Sequence, residues 1–157
     1  MPGQKKLRYL GNHDTVSWTW DKQRPTSVYG VEKAKALWTL MSTIDGVPFL
    51  YMGDEDSALY HANGLNLTNF FTELFAARRM YLSDDMETEY LLGQDTVVAF
   101  RRRSAEASRL VLVNLGGEAV DYPLSEENCT VLYGQGTLED GFAHLPAYGS
   151  LLLDVTP

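Results

Sequence analysis

Gly46-Val47-Pro48-Phe49-Leu50-Tyr51-Met52-Gly53-Asp54-Glu55 is an almost unbroken apolar run between two glycines, closed by two carboxylates. Such a run predicts a strand over 47–52 that is buried on both faces, as in a parallel sheet. Upstream, Ala34, Leu37, Trp38, Met41 and Ile44 recur at the three-and-four spacing of a buried helical stripe, which predicts a helix over 27–44 ended by Asp45-Gly46. Before it, 6–10 reads as a short strand that stops at Gly11 and leads into a polar and aromatic loop through Pro25. Downstream, a second helix over 68–82 places Phe71, Leu74, Phe75 and Arg78 on one side, with Asn66, Thr68 or Asn69 available as its cap. The order strand, helix, strand, helix is that of two successive α/β units, the building block of parallel sheets and barrels.

The periodicity changes near Ser83-Asp84-Asp85. Short runs rich in β-branched and aromatic residues follow at 89–92, 96–103, 109–115, 119–124, 130–134 and 150–155, punctuated by glycine, asparagine, proline and serine. They predict an antiparallel β-sandwich packed on the helix that ends near Leu82. The chain thus divides into an α/β part, 1–85, and an all-β part, 86–157. Alternation on a strand splits Arg101, Arg102 and Arg103 between two faces, so they read as a solvated edge rather than an anion site.

Composition narrows the function classes. The 157 residues are 45% hydrophobic and carry a net charge of -8, without any block of five like charges. This argues against nucleic acid and against an anionic membrane surface, and suits a neutral or polar ligand. The single cysteine, Cys129, cannot form an internal disulfide and reads as a small core residue. No apolar stretch is long enough to span a bilayer, and Met1-Pro2-Gly3-Gln4-Lys5-Lys6 does not open a signal peptide. A soluble protein is expected, with its compartment left open.

The residues suited to chemistry cluster after the first strand, in Tyr9-Leu10-Gly11-Asn12-His13-Asp14-Thr15. Loops at the C-terminal ends of parallel strands build active sites, and a carboxylate there can hold sugar hydroxyls or oppose positive charge on a glycosyl ring. The same triplet is also a good Asx-turn, with Asn12 and Asp14 bonding local backbone donors. Trp18 and Trp20 would share a face of an extended loop, either as platforms for a sugar ring or as packing. Tyr51 can face either the core or the site. His61 and His144 lack partners at metal-ligand spacing, so no metal site and no cofactor are expected.

Taken together, the Asn12-His13-Asp14 triplet and the 46–55 segment resemble the seventh and eighth strand regions of the α-amylase superfamily, glycoside hydrolase family 13. The helix containing Ala77-Arg78-Arg79 looks like that family's last barrel helix. The runs 97–103, 109–115 and 145–153 look like its C-terminal sandwich. The resemblance implies a retaining glycosidase acting on α-glucans such as starch or maltodextrin. It makes Asp14 the carboxylate that stabilises the transition state and His13 a substrate contact, while Asn12 shapes the turn beside the substrate. Glu55 falls on a structural or rim acid. The family often places arginine three residues after the aspartate, where Ser17 stands here, and Arg24 is only a distant substitute. A retaining enzyme also needs a nucleophile and an acid/base carboxyl, about 5–5.5 Å apart, and neither segment occurs in this sequence. Calcium ligands of the family lie largely upstream. The expectation is therefore a partial (β/α) barrel segment, its last two strand-helix units, followed by an antiparallel β-sandwich. Such a chain is inactive alone, and it self-associates or pairs with the missing barrel segment. The alternative is a non-catalytic carbohydrate-binding or scaffold protein derived from that fold.

Overall fold

A glycine lets two parallel strands meet. In the computed structural model, which describes residues 4–16, 24–55, 65–126 and 128–156, Gly46 has φ 110°, and a Cβ there would lie 2.5 Å from the Lys6 carbonyl oxygen. Only glycine permits that approach. Strand β1 (Leu7–Arg8) is followed by a single helical turn, α1 (His13–Val16), then by helices α2 (Pro25–Tyr29) and α3 (Val31–Thr43) and strand β2 (Val47–Pro48). β1 and β2 pair in parallel, Leu7 opposite Val47 and Arg8 opposite Pro48. The ladder is shorter than the predicted strands, its last bond running from the Phe49 N–H to the Arg8 carbonyl at 2.8 Å. Nor is β2 buried on both faces, because Val47, Phe49 and Met52 are exposed. Continuous apolar character marks a strand with neighbours on every side, and among the described residues this pair has helices against it but no further strand beside it.

The helix predicted over 27–44 is broken at Gly30, whose φ of 80° separates α2 from α3. Its buried positions also differ from the predicted stripe. Ala34 and Trp38 are buried as expected, but so are Ala36, Thr39, Leu40, Ser42 and Thr43, whereas Leu37, Met41 and Ile44 are only partly covered. The cause is packing on two sides. Ala34 and Trp38 meet helix α4 (Thr68–Tyr81) in a cluster with Phe71 and Leu74, the Trp38 and Phe71 rings standing edge to face at 4.9 Å. Ala36 and Leu40 meet the β-sandwich. The buried threonines supply their own partners, Thr39 Oγ1 donating to the Lys35 carbonyl at 3.0 Å and Thr43 Oγ1 to the Thr39 carbonyl at 2.7 Å.

The remaining strands are β3 (Glu87–Tyr90), β4 (Val97–Arg103), β5 (Ser108–Asn114), β6 (Val120–Pro123), β7 (Thr130–Gly134), β8 (Thr137–Glu139), β9 (Phe142–Leu145) and β10 (Ser150–Asp154). They form an antiparallel five-stranded sheet in the order β3-β4-β5-β10-β7 and an antiparallel three-stranded sheet, β6-β9-β8. The fold is thus the α/β segment followed by an antiparallel sandwich that the sequence predicted. The β8–β9 hairpin is an addition to that prediction. Its signal was Asp140-Gly141, a pair with φ 49° and 80° between Glu139 and Phe142, as a type I′ turn requires.

The central strands of the large sheet, β4, β5 and β10, are buried on both faces. Leu110, Leu112, Leu151 and Leu153 pack with Ala143 and Leu145 of the small sheet. Phe100, Val111, Val113 and Leu152 face the other way, onto Ala36, Leu40, Leu82 and Met86. The sandwich therefore packs on α3 as well as on the end of α4. At the margins of β5 and β10 the residues are polar. Asn114 is fully buried with both ends of its amide bonded, to Glu118 O, Pro146 O, Gly116 N and Thr96 Oγ1. Arg109 pairs with Asp154, its partner in register, at 2.5 Å.

Arg102 corrects the reading of 101–103 as a solvated edge. β4 is an inner strand, covered on its outer side by β3, where Arg101 and Arg103 meet Glu89. Arg102 points the other way and is 2% exposed. Its guanidinium donates to Thr43 O at 2.9 Å, Ser83 O at 3.1 Å and Met86 O at 3.3 Å. Arg78 of α4 donates to Ser42 O at 2.6 Å and Gly46 O at 2.8 Å. Two cations thus hold the carbonyls at the C-terminal end of α3, where the helix dipole favours positive charge. Burial, and then the neighbouring Arg78, lowers the pKa of Arg102 from its ordinary value. Arg102→Met should take the guanidinium donors from Thr43 O, Ser83 O and Met86 O and cost about 3 kcal/mol in chemical denaturation, while Arg103→Met should stay within about 0.5 kcal/mol. Equal losses for the two variants would refute the capping role.

Candidate functional site

Because β1 and β2 run in parallel, the segments that leave them emerge at the same end. Asn12, His13 and Asp14 follow β1 there, and Gly53, Asp54 and Glu55 follow β2. This is the end at which parallel α/β folds place their ligands.

Asn12 builds the local turn. Its Oδ1 accepts the N–H groups of Asp14 at 2.9 Å and Thr15 at 3.1 Å. Thr15 Oγ1 in return accepts the Asn12 N–H at 2.9 Å and donates to the Asn12 carbonyl at 3.2 Å. This reciprocal arrangement starts α1 as a cap does. The Asx-turn is therefore present, but Asn12 makes it and Asp14 does not. The Asp14 carboxylate is free of the turn, its side chain 71% exposed, with His13 Nε2 3.2 Å from Oδ1. Trp18 and Trp20, read as sugar contacts or packing, lie outside the described residues, as do Ser17 and His61. No group of three or more His, Cys, Asp or Glu residues able to hold a metal occurs among the described residues.

Sequence reasoning missed a buried ion pair at the end of β2. Arg24 and Asp54 form an ion pair at 2.9 Å with side chains 3% and 1% exposed. Arg24 Nη1 also donates to the Met52 carbonyl at 2.9 Å, and its guanidinium carbon stands 5.2 Å from the centre of the Tyr51 ring. Arg24 is thus no distant substitute for a site arginine. It is a buried anchor that ties the chain entering α2 to the end of β2, with Tyr51 against it. Pro25, at the first position of α2, marked the helix start immediately after Arg24, but nothing in the sequence pairs Arg24 with Asp54 thirty residues on. Glu55 is turned to its own loop: Oε2 accepts the Gly53 N–H at 3.0 Å, and its carbonyl accepts the Leu67 N–H at 2.8 Å.

Removing one partner of a buried pair deprives the other of a compensating charge. Arg24→Met is expected to cost about 3–5 kcal/mol of stability, and Arg24→Met with Asp54→Leu to recover most of it. Asp14→Asn should change stability by less than about 0.5 kcal/mol. Urea denaturation of the four proteins measures all three effects. An Asp14→Asn loss as large as that of Arg24→Met would make Asp14 a structural residue.

No family model and no curated protein matches the sequence. Solved structures do match the fold. Over 96% of this chain and 34% of that chain it is similar to a debranching enzyme of Nostoc punctiforme, with 22% identity and a TM-score of 0.73. An α-amylase of H. orenii matches with 18% identity and TM-score 0.73, over 96% of this chain and 40% of that one. A trehalose-6-phosphate hydrolase of Bacillus licheniformis matches with 15% identity and TM-score 0.74, over 99% and 44%. The chain spans less than half the length of each. No described helix is long and apolar enough to cross a membrane. The fold of this chain is therefore that of a portion of the α-amylase-type glycoside hydrolases, the enzymes that its Asn12-His13-Asp14 and 46–55 segments resemble.

Proposed function

We propose that the chain is the C-terminal portion of an α-amylase-type glycoside hydrolase acting on α-glucans or related α-glucosides by a retaining mechanism. In this reading residues 1–85 are the last part of the catalytic barrel and 86–157 its C-terminal sandwich domain. The observation that carries it is the free Asp14 carboxylate, presented beside His13 at the C-terminal end of β1 on a turn that Asn12 holds. Asp14 opposes the positive charge that grows on the glycosyl ring towards the transition state, where it is strongest. His13 binds a sugar hydroxyl next to it. The nucleophile and the acid/base come from barrel strands outside these 157 residues.

Asp14→Asn keeps the shape of the side chain and removes its charge. In the complete enzyme turnover should fall on the order of a hundredfold or more with the melting temperature unchanged. A scaffold or binding protein would show no such dependence, and unchanged turnover in Asp14→Asn would remove Asp14 from the mechanism. Hydrolysis of maltodextrin by the purified 157-residue chain, lost in Asp14→Asn, would overturn the reading as a fragment.

The same reading assigns a partner to the open side of the parallel pair. Leu7, Tyr9, Val47 and Phe49 are exposed on this pair, and the outer edges of β1 and β2 have no strand beside them among the described residues. Apolar faces and free strand edges are ordinarily covered. Sedimentation should show the chain alone self-associating and should show a one-to-one complex when the remaining barrel segment is added. A monomer stable at high concentration and indifferent to that segment contradicts the assignment.

A further inference from the structure

A cavity of about 350 Å³ lies where α3, α4 and the sandwich meet, and its walls contain none of Asn12, His13 or Asp14. Lys35 comes from α3, Phe70 and Glu73 from α4, and Tyr133, Gln135 and Tyr148 from β7 and the adjoining loops. The volume is at the lower end of the range for small-molecule sites.

Three aromatic side chains line a space whose rim is polar. Tyr148 is the least expected of them, because its φ of 56° puts a bulky residue in the left-handed region. Such strain persists only where the surroundings fix it, and here the Tyr148 N–H donates to Gly116 O at 3.0 Å and the following Gly149 N–H to Pro146 O at 2.8 Å. The Tyr133 phenol keeps its proton at neutral pH, as any phenol does, and burial, and then the charge of Glu73, pushes it further up, to about 12. Lys35 is already paired with Glu32 at 2.9 Å, which leaves Glu73 as the unbalanced charge. That balance opposes an anionic ligand. Aromatic faces suit the C–H faces of a pyranose, and a phenol, an amide and a carboxylate suit its hydroxyls.

We propose that this cavity is a second saccharide site, separate from the Asp14 end of the molecule, which takes a short neutral oligosaccharide against Phe70, Tyr133 and Tyr148 with Glu73 and Gln135 on its hydroxyls. The choice of an α-glucan among such ligands rests on the proposed function. The saccharide site itself does not.

Amide chemical shifts of the 157-residue chain, kept below the concentration at which sedimentation shows self-association and followed as maltotriose is added, test it. Saturable shifts should appear around residues 35, 70–73, 133–136 and 148, with a dissociation constant on the order of a millimolar. Glu73 and Gln135 are exposed, so Glu73→Ala and Gln135→Ala should keep the circular dichroism of the parent and weaken binding about fivefold each. Glucose 6-phosphate should bind less tightly than glucose. No saturable shifts with either maltotriose or cellotriose, or unaltered binding in both variants, would overturn the site. Tighter binding of glucose 6-phosphate would overturn its neutral ligand. Binding of cellotriose in place of maltotriose would overturn the α-glucan choice alone. The turnover of Asp14→Asn in the complete enzyme is independent of all these outcomes.

Discussion

The C-terminal carbonyls of α3 have to be satisfied by something, and two arginines do it. A helix ends with four carbonyls that have no partner within it. Here Ser42 O and Gly46 O take the guanidinium of Arg78, and Thr43 O takes that of Arg102. Arg78 belongs to α4 and Arg102 to β4. One helix end therefore fixes the second helix, the large sheet and the glycine that opens β2. Displacing Gly46 would displace the β1–β2 ladder, and with it the end from which Asn12, His13 and Asp14 emerge. The cations sit at the opposite end of the parallel pair from the chemistry, yet they set its position.

Element order was legible because it rests on periodicity. The two helices, the two short parallel strands and most of the sandwich follow from apolar spacing and from Gly and Pro punctuation. What periodicity hides is how many neighbours an element has. α3 looks like a helix with one apolar stripe, but its small and hydroxylated residues, Ala36, Thr39, Ser42 and Thr43, are buried too, because alanine needs little space and threonine can bond its own helix. Hydropathy gives such residues no weight. Arg102 misleads in the opposite sense. A guanidinium reads as a surface group, and only the tertiary fold puts three carbonyls within its reach.

The site shows the same division. Asn12-His13-Asp14 could be placed after a strand because the surrounding pattern located the strand. That Asn12 and Thr15 would close the turn, leaving the Asp14 carboxylate out of it, does not follow from residue type, since Asn12 and Asp14 are both good Asx-turn formers. The Arg24–Asp54 pair lay beyond reach for a further reason. Its members are thirty residues apart with no shared spacing rule, and each is unremarkable until both are seen buried against Tyr51.

The centre of the large sheet, covered on both faces, has a consequence for how its strands find one another. When one face of a sheet meets water, a slip of one residue turns the apolar side outward and is penalised at once. β5 and β10 carry apolar residues on both sides, so a slipped pairing would still bury leucine and valine everywhere, and hydropathy could not tell right from wrong. The choice then falls to the few positions that are not interchangeable. Asp154 must come opposite Arg109, Asn114 must reach four separate partners, and Gly134 must meet the Ser150 carbonyl where a Cβ would come within 2.0 Å. The greasiest part of the protein is aligned by its polar ends and by one missing side chain, as a blank page is aligned by its corner marks.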